Sequence, residues 1–484
     1  MQYKLSENID SNKVFLVNFS ELEGRLDPSV YKPHFQFYSN KYRNKRLSDI
    51  AWIDPLYDFR NVEEMSFIPM DAIDSTNGVV SYMEIKKKDE IKGYTKFQEG
   101  DILWAKITPC MQNGKSAIAK NLLNGCGCGS TEFYVIRSKD EKIVKQEYLL
   151  FLLRDERILN AAMNFFGGSA GQQRVSPLFL NSFNVPIPEI EEQRYMCEIA
   201  SHAQCLKMEK EFKAETLLNS INNYLFRVLG IEFHQTYALL LKDRMFVVNF
   251  SEVSGGRFDP KQYSPSIMQL KHSLLKSCYP KLKLKDLVTN SSSGEWGKDE
   301  LEEIDEDKYT KCLVIRATEF DNTYNLRLDN SRAKYRWIEK TKLIKMNIQK
   351  NDLLIEKSGG SEDQPVGRIS ILTDDILKGD QIAYSNFIHK ITVKGINPLY
   401  LYFYLKTMHN IKITDSMQSQ TNGIRNLIMS EYFNQTIIVP PMEKQQEIVD
   451  HITNIWNKAK ALQEEGKAIL EEAKREVESM IIGK

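Results

Sequence analysis

The 484-residue sequence has few cysteines and histidines, no net charge and no long apolar run. Its 65 basic and 65 acidic residues exclude a polycation of the histone kind. No stretch approaches the roughly 18 uninterrupted apolar residues that a membrane span requires. Residues 1–10 also lack the basic and apolar regions of a signal peptide. We therefore expect no membrane association and a cytoplasmic location.

The seven cysteines are scattered and odd in number, which argues against a secreted disulfide framework. Cys126 and Cys128 have no second pair at zinc spacing, and the sparse histidines do not supply one. Because structural zinc needs a full set of such ligands, we expect no bound metal.

The chain contains an internal repeat, which is its most informative feature. Val-Asn-Phe-Ser-Glu, then Gly-Arg-x-Asp-Pro and a tyrosine, occur near residue 20 and again near residue 255. The matched pairs are Val17 and Val248, Gly24 and Gly256, Arg25 and Arg257, Tyr31 and Tyr263, Asp101 and Asp352, Gly114 and Gly367, Tyr148 and Tyr400, Arg174 and Arg425, Pro188 and Pro440, and Gln193 and Gln445. Two related halves form a pseudo-dimer, which suits a target with two parts.

The spacing of the matched residues locates a difference between the halves. Val17 and Val248 are 231 residues apart, whereas Asp101 and Asp352 are 251 apart. The second half has therefore gained about 20 residues early, and we place the insertion around Ser291 to Asp307. The two halves share a structural framework, and we expect their divergent central segments to recognise different parts of a target.

Each half alternates short apolar segments with turn residues, which predicts strands at 102–104, 116–119 and 131–136 and a helix at 149–159. The same pattern occupies 352–391 and 399–408. We predict an α+β fold with two similar mixed α/β domains related by pseudo-twofold symmetry.

Two proline-free segments of about 40 residues predict long helices, from about Glu189 to Leu229 and after Pro441. The second has apolar residues at steps of four and three, broken only at Glu476, which is typical of a coiled coil. Its seam is Ile448, Ile452, Ile455, Ala459, Leu462, Gly466, Ile469, Ala473 and Met480; that of the first segment is Ile199, Ala203, Leu206, Leu217, Ile221, Leu225 and Val228, interrupted near Lys210 and Lys213. We expect an antiparallel pair about 60 Å long. If the target is DNA, this pair would hold two reading domains a fixed distance apart; alternatively, it is an interaction stalk whose length has no such role.

Three short motifs resemble parts of catalytic sites but do not meet the requirements of one. The Gly114-Lys115-Ser116 triplet lacks the earlier glycine of a phosphate-binding loop, because that position is Pro109. The Asn397-Pro398 pair is a common helix start, and Asp71 with Glu84 fits a nuclease spacing only loosely. We predict no catalytic residue and interpret Gly114-Lys115 as a turn before a strand.

Since we predict no catalytic residue, we consider which side chains could recognise DNA. Arginine and lysine bind guanine or phosphate, and asparagine or glutamine bind adenine. The equivalent polar loops at 168–174 and 419–425 are the best candidates for contacts, with basic clusters beside them; helix caps or plain turns are the alternative reading. The predicted DNA contacts are Arg43, Lys45, Arg46, Lys86, Lys87, Lys106, Lys115, Gln172, Gln173, Arg174, Lys283, Lys285, Arg332, Lys334, Arg336, Lys357, Arg368, Asn422 and Arg425.

The order of these features, in duplicate, resembles the specificity subunit of Type I restriction-modification systems. The resemblance is carried by the Gly-Asp-Ile-Leu and Asn-Asp-Leu-Leu strands, by the glycine-basic pairs after them, and by proline followed by glutamine before each long helix. It covers nearly the whole chain. Lys444 stands where the first copy has Glu192, so the closing signature is not fully duplicated.

The resemblance implies target-recognition domains at 1–187 and 231–439, with conserved spacer helices at 188–230 and 440–484. It implies a non-catalytic subunit that reads a bipartite target in double-stranded DNA. Its expected partners are two DNA adenine methyltransferase subunits, which bring S-adenosylmethionine, and optionally restriction or translocase subunits, which use ATP and magnesium. No cofactor is expected on this chain itself.

Other hypotheses remain open at this stage. The chain could serve a Type IIB-like enzyme or another phage-defence methylation complex. From different classes, it could be a nuclease acting through Asp71 and Glu84, or a coiled-coil scaffold that binds only protein. Steep salt dependence of DNA binding would separate a DNA reader from a scaffold.

Overall fold

The structure is a computed structural model that describes residues 14, 16–17, 39–168, 172–233, 245–253, 257–300, 305–320, 326, 328, 334–361, 364–421 and 423–482. The chain divides into two compact units. The first unit takes residues up to 211 together with 463–484, and the second takes 212–462. Most of the repeated motif near residue 20 lies outside the described residues.

The first unit is built on an antiparallel four-stranded sheet. Its order is Ala51–Ile53, Phe133–Ser138, Ile102–Ala105, Ser116–Ile118. The central strand Ile102–Ala105 is buried along its whole length. Since side chains alternate across a strand, Ile102 and Trp104 pack into a helical cluster while Leu103 packs into a second cluster. Both faces of this sheet are therefore covered.

The second unit repeats this sheet. Its order is Val288–Ser293, Ile388–Val393, Leu353–Glu356, Ile369–Ile371, again antiparallel. Leu353 and Ile355 lie in the helical cluster and Leu354 in the opposite one. The strand order and the alternation match the first unit, so the shared frame predicted from the repeat is confirmed, and both units have the predicted mixture of helix and strand.

Each unit carries a further sheet, and here the units differ. The first unit has the order Glu84–Lys87, Glu64–Ile68, Cys126–Gly129, Thr95–Gln98. The second has Tyr335–Glu339, Tyr309–Ile315, Ile382–Tyr384. Both contain one parallel pair, but among the described residues only the first has a strand at the position of Thr95–Gln98.

The insertion is split rather than single. Leu47 and Leu284 begin equivalent short helices after equivalent strands and are 237 residues apart. Part of the extra length therefore precedes Leu284, where the second unit has the helix Pro265–Lys276. The rest lies before Asp352. The predicted start at Ser291 falls inside the strand Val288–Ser293, so that boundary was wrong.

The helix predicted at 149–159 is in fact two helices, Gln146–Leu153 and Glu156–Met163. The second begins because the Asp155 carboxylate accepts a hydrogen bond from the Arg157 backbone N–H at 2.9 Å, a typical N-cap. The corresponding element of the second unit, Pro398–Asn410, is continuous.

The long helices span Ile190–Leu229 and Met442–Ile482. In the first unit their segments run antiparallel: Lys210 Nζ is 2.6 Å from Glu465 Oε1, and Gly466 lies against Lys207. In the second unit the Tyr224 ring stacks on the His451 ring at 3.9 Å. The predicted antiparallel pairing is thus seen in the first unit, and the second unit shows a contact between the same two helices.

The seam of the second long helix is buried as predicted at Ile448, Ile452, Ala459, Gly466 and Ala473. Beyond Ala473, however, the buried residues are Val477 and Ile481 rather than Met480. An α-helix of 3.6 residues per turn drifts about 20° per heptad. A step of four therefore places Val477 on the buried face and Glu476 in solvent.

A buried glutamine ties each long helix to its unit. In the first unit, Gln193 Oε1 accepts from the Lys145 N–H at 2.8 Å and Nε2 donates to the Pro188 carbonyl at 2.9 Å. In the second unit, Gln445 makes the same two bonds, with the Asn397 N–H and the Pro440 carbonyl, both at 2.8 Å. This pairing explains why proline and glutamine recur together before both long helices.

Each unit also contains a short two-stranded antiparallel pair. Arg43–Arg46 pairs with Asn184–Ile187, and Lys281–Lys283 pairs with Thr436–Ile438. Apart from four hairpin strands at 166–167, 174–175, 418–421 and 424–427, the remaining helices and strands are Leu47–Ile50, Met70–Ala72, Ile73–Asp74, Val79–Val80, Lys88–Glu90, Leu123–Gly125, Pro177–Ser182, Phe250–Val253, Pro260–Tyr263, Leu284–Leu287, Ala317–Glu319, Lys340–Met346, Ser358–Gly359, Asp374–Leu377, Ile413–Met417 and Met429–Phe433. No helix in the described part of the chain is long and apolar enough to cross a membrane.

Candidate nucleic-acid interface

The two polar loops predicted to contact DNA are the tips of equivalent hairpins. The first hairpin joins Phe166–Gly167 to Arg174–Val175, and the second joins Gln418–Thr421 to Ile424–Leu427. Each returns to the end of its central strand, because Val175 N–H donates to the Lys106 carbonyl at 2.9 Å and Leu427 N–H donates to the Lys357 carbonyl at 2.8 Å. The loops therefore lie beside equivalent lysines.

These backbone hydrogen bonds change which residues of the two hairpins are equivalent, and they separate the two arginines that the sequence had matched. Since Val175 and Leu427 make the same backbone bond, Arg174 is equivalent to Asn426, and Arg425 is equivalent to Gln173. A shift of one residue in a strand reverses the direction of the side chain. The sequence match of Arg174 with Arg425 was wrong by one position, and the two arginine side chains lie in different surroundings.

In the first hairpin, Arg174 is held by Glu132. Its Nε and Nη2 atoms lie 2.8 Å from the two carboxylate oxygens, and the arginine side chain is 46% exposed. Arg174 holds the pKa of Glu132 below its ordinary value. Gln172 is exposed and Gln173 is half-buried, and residues 169–171 of the tip lie outside the described residues.

The second hairpin has different chemistry. Arg425 is 15% exposed and its Nη1 lies 3.6 Å from Asp415 Oδ1. The position equivalent to Glu132 is the exposed Phe387, since the carbonyls of both accept from the N–H of the adjacent lysine, at 2.9 Å for Lys106 and 2.7 Å for Lys357. Asn422 lies outside the described residues, as does Arg332.

The two equivalent lysines are half-buried at the ends of the central strands. Lys106 Nζ is 5.0 Å from the centre of the Tyr134 ring, and Lys357 Nζ is 3.3 Å from Ser293 Oγ. Neither is in an ion pair within 4.0 Å among the described residues. An ammonium group held beside a polar loop is well placed to contact a phosphate.

Strand pairing assembles a polar group near Lys357 that the sequence did not indicate. His389 Nε2 is 2.6 Å from Ser291 Oγ, and its Nδ1 is 3.4 Å from Ser293 Oγ. Burial, with the Lys357 charge, lowers the pKa of His389 to about 4, so the ring is neutral at neutral pH. The serines and the histidine are almost 100 residues apart in sequence, and only the register of the sheet brings them together.

Two of the predicted contacts, Arg368 and Arg336, are instead internal cations. Arg368 makes two bonds of 2.8 and 2.7 Å to the fully buried Glu356. Arg336 is buried against Asp299, at 2.6 Å, and the Trp296 ring. Because these two guanidinium groups are buried against acidic partners, we assign them structural roles in place of the predicted DNA contacts. Lys115 is half-buried and donates to the Met70 carbonyl at 2.8 Å, and its contact with DNA stays a prediction.

The remaining predicted contacts lie on separate parts of the two units. Lys86 lies over the Phe67 ring, with Nζ 3.6 Å from its centre. Lys283 Nζ donates to Thr436 Oγ1 at 3.1 Å. The other predicted contacts are at least partly exposed: Arg43, Lys45, Arg46, Lys87, Lys285 and Lys334. Their contacts with DNA stay predictions.

The motifs set aside on sequence grounds have structural explanations. Gly114 has a φ of 69° in a turn that precedes the strand Ser116–Ile118, and Asn397 caps its helix through bonds to Leu399 and Tyr400. Asp71 accepts a hydrogen bond from the Tyr82 hydroxyl at 2.6 Å. Within the described ranges, no group of three or more His, Cys, Asp and Glu side chains could hold a metal ion.

Comparison with known proteins agrees with this architecture. The model of the Type I restriction modification DNA specificity domain matches residues 40–215 and 279–472. One matched range falls mainly in each half, and together they exceed half of the chain. The protein is thus a member of a DNA-specificity family with its domain in duplicate. The chain belongs to the Type I restriction-modification DNA specificity domain family, as the sequence predicted.

Two curated relatives are specificity subunits from Escherichia coli. The chain is 38% identical over 186 residues to the Type I restriction enzyme EcoAI specificity subunit, and 40% identical over 149 residues to that of EcoEI. These alignments cover 38% and 30% of this chain and 31% and 25% of the relatives. The chain thus spans less than a third of the curated relatives it matches.

Two solved structures align along most of this chain. One is a chain from a study of assembly and conformational transition in the type I R-M system, with 16% identity, a TM-score of 0.48, and coverage of 93% of this chain and 98% of that one. Another is the HsdS subunit from Thermoanaerobacter tengcongensis, with 15% identity, a TM-score of 0.35, and coverage of 91% and 96%.

Proposed function

We propose that this chain is the sequence-specific DNA-recognition subunit of a restriction-modification complex and that it reads a bipartite target, one part with each unit. The observation that carries the proposal is that the two units share one structural framework but have different side chains at their hairpins. The first unit has Arg174 held by Glu132 where the second has Asn426 and the exposed Phe387. Equivalent positions with unlike side chains suit two unlike half-sites.

DNA contact on each unit would centre on its hairpin and the adjacent lysine. Lys106 and Lys357 supply phosphate contacts, which fix the register on the duplex, while the hairpin side chains reach base edges. Gln172 and Gln173 offer amide groups suited to adenine, and Arg425 offers a guanidinium suited to guanine once it leaves Asp415.

The chain would act through partners and hold no catalytic centre of its own. Two adenine methyltransferase subunits, carrying S-adenosylmethionine, would bind the long helices; restriction subunits that use ATP and magnesium would join in some assemblies. Support comes from large apolar side chains that the helices leave exposed. They are Tyr195 (53% exposed), Met208 (47%), Phe212 (71%) and Met442 (53%).

The test is methylation sequencing of cells that express the chain with its methyltransferase. The expected product is methyladenine in a motif with two specified parts and an unspecified gap. A single continuous motif would contradict the reading by two units. Replacing Phe212 with serine should reduce co-purification of the methyltransferase, whereas the same replacement of Leu56, which is 99% exposed and outside both long helices, should not.

A further inference from the structure

We infer that the repeated segment 257–263 positions the second hairpin for base reading, an inference that rests on the proposed function. Arg257 is the key residue. Its Nη2 donates to the Gln418 carbonyl at 3.0 Å, in the first strand of the hairpin, and its Nη1 lies 3.2 Å from Glu431 Oε1. It also pairs with Asp259. One guanidinium therefore joins the segment, the hairpin and the helix Met429–Phe433.

A second link runs through Asp415. Lys261 Nζ lies 2.8 Å from Asp415 Oδ2. The other oxygen of the same carboxylate is 3.6 Å from Arg425 Nη1 and accepts the Gln418 side-chain amide. Asp415 thus transmits the position of Lys261 to Arg425, the arginine that the hairpin offers to DNA.

A third group of bonds makes the segment rigid. Gln262 Nε2 donates to Glu431 Oε2 at 2.6 Å, and the buried Tyr263 donates its hydroxyl proton to the Arg257 carbonyl at 3.0 Å. The short helix Pro260–Tyr263 is capped by Asp259, which accepts from the Lys261 N–H at 3.0 Å. These bonds hold Arg257 and Lys261 in one orientation.

The positions of these bonds indicate that Arg257 and Lys261 hold the second hairpin in place. The Arg257 side chain is 33% exposed and that of Lys261 is 56% exposed, so neither fills the core. Both end on groups within ten residues of the hairpin tip. Base readout by bidentate hydrogen bonds requires side chains held to within about 0.5 Å. Loss of the two links should therefore affect discrimination more than folding.

The test compares methylation motifs for Arg257→Ala, Lys261→Met and Arg425→Ala in the complex with the methyltransferase. Arg257→Ala and Lys261→Met should relax the same half of the motif that Arg425→Ala relaxes. The preference for the cognate base there should fall about tenfold, because a bidentate side-chain contact discriminates strongly against the wrong base. The other half should keep its full preference. Arg257→Lys, which retains the charge but not the forked geometry, should give an intermediate loss.

The control is Lys378→Ala, because Lys378 is 77% exposed and its ion pair with Asp375 is at 4.0 Å. It should leave both halves unchanged. If both halves relax equally in Lys261→Met and Arg257→Lys, or if neither changes while Arg425→Ala acts on one half, the positioning role is overturned. A continuous motif in the unaltered protein would instead overturn the proposed function, so the two failures are distinguishable.

Discussion

At the scale of single residues, two arginine–glutamate pairs with similar geometry differ in their access to water. Arg174 and Glu132 are 46% and 21% exposed, whereas Arg368 and Glu356 are 11% and 0% exposed. An exposed pair contributes little to stability because solvent screens it, but the removal of one partner from a buried pair leaves an uncompensated charge. The two pairs therefore have different consequences when broken.

We predict that Arg368→Ala lowers the free energy of unfolding by about 3–5 kcal/mol, because Glu356 would be left buried and unpaired. Arg174→Ala is the matched control and should cost less than about 1 kcal/mol. Urea unfolding of both variants measures this difference. Equal losses of unfolding free energy in the two variants would contradict the structural role that we assign to the buried Arg368. The double replacement Arg368→Met with Glu356→Leu should recover much of the loss.

Histidine protonation makes the second unit sensitive to acid. Burial lowers the pKa of His409 to about 4, and its Nε2 is 3.0 Å from the Pro365 carbonyl. Between pH 6.5 and 4 the unfolded chain binds a proton that the folded ring does not, so stability falls as pH falls through this window. His409→Gln should reduce the difference between urea unfolding at pH 7 and at pH 5. His202→Gln, at an exposed position, should leave that difference unchanged.

Which residues face solvent could not be predicted from residue type. Arg174, Arg368 and Arg425 look alike in the sequence, yet one is held at the surface by Glu132, one is buried on Glu356, and one lies near Asp415. Tertiary pairing decides these roles. The same reason explains why the Ser291–His389 contact was missed.

At the scale of elements, the long helices show how packing constrains a single position. A Cβ added to Gly466 would lie 3.4 Å from the Lys207 Cα and from the Lys210 Cβ. That is ordinary van der Waals contact, so alanine fits, but a larger side chain would meet the facing backbone.

We predict that Gly466→Ala raises the free energy of unfolding by up to about 1 kcal/mol, because glycine is the poorer helix former. Gly466→Leu should lower it by about 1–3 kcal/mol through overpacking. Thermal unfolding of the two variants separates these effects. Destabilisation by both would indicate closer helix packing than the structure has, and stabilisation by both would indicate no packing there.

Elements were predictable where apolar residues form a run after a turn or a regular seam. The apolar run after Gly100-Asp101 predicted the strand found at Ile102–Ala105, and the seam predicted the helix Met442–Ile482. Local capping was harder: Asp155 begins a new helix in the first unit where the equivalent Pro398–Asn410 continues. The hairpins were predicted as loops, and their register, which separates Arg174 from Arg425, depends on backbone bonds that no residue pattern records.

At the scale of the whole molecule, zero net charge means that DNA attraction must come from local groups rather than from a general field. Each lysine that binds a phosphate adds about 0.9 to the slope of log affinity against log salt. We predict that Lys106→Ala and Lys357→Ala each reduce this slope by about 1 in the complex. Lys378→Ala should not, and a slope unchanged in the first two variants would remove these lysines from the interface.

The central claim is that each unit reads its own half of the target, and crossed substitutions in the two hairpins test it most directly. Methylation motifs should be determined for Gln173→Ala, in the first hairpin, and Arg425→Ala, in the second. We predict that each variant relaxes one half of the motif and leaves the other half intact, and that the two variants relax different halves. Relaxation of the same bases by both variants would contradict the account.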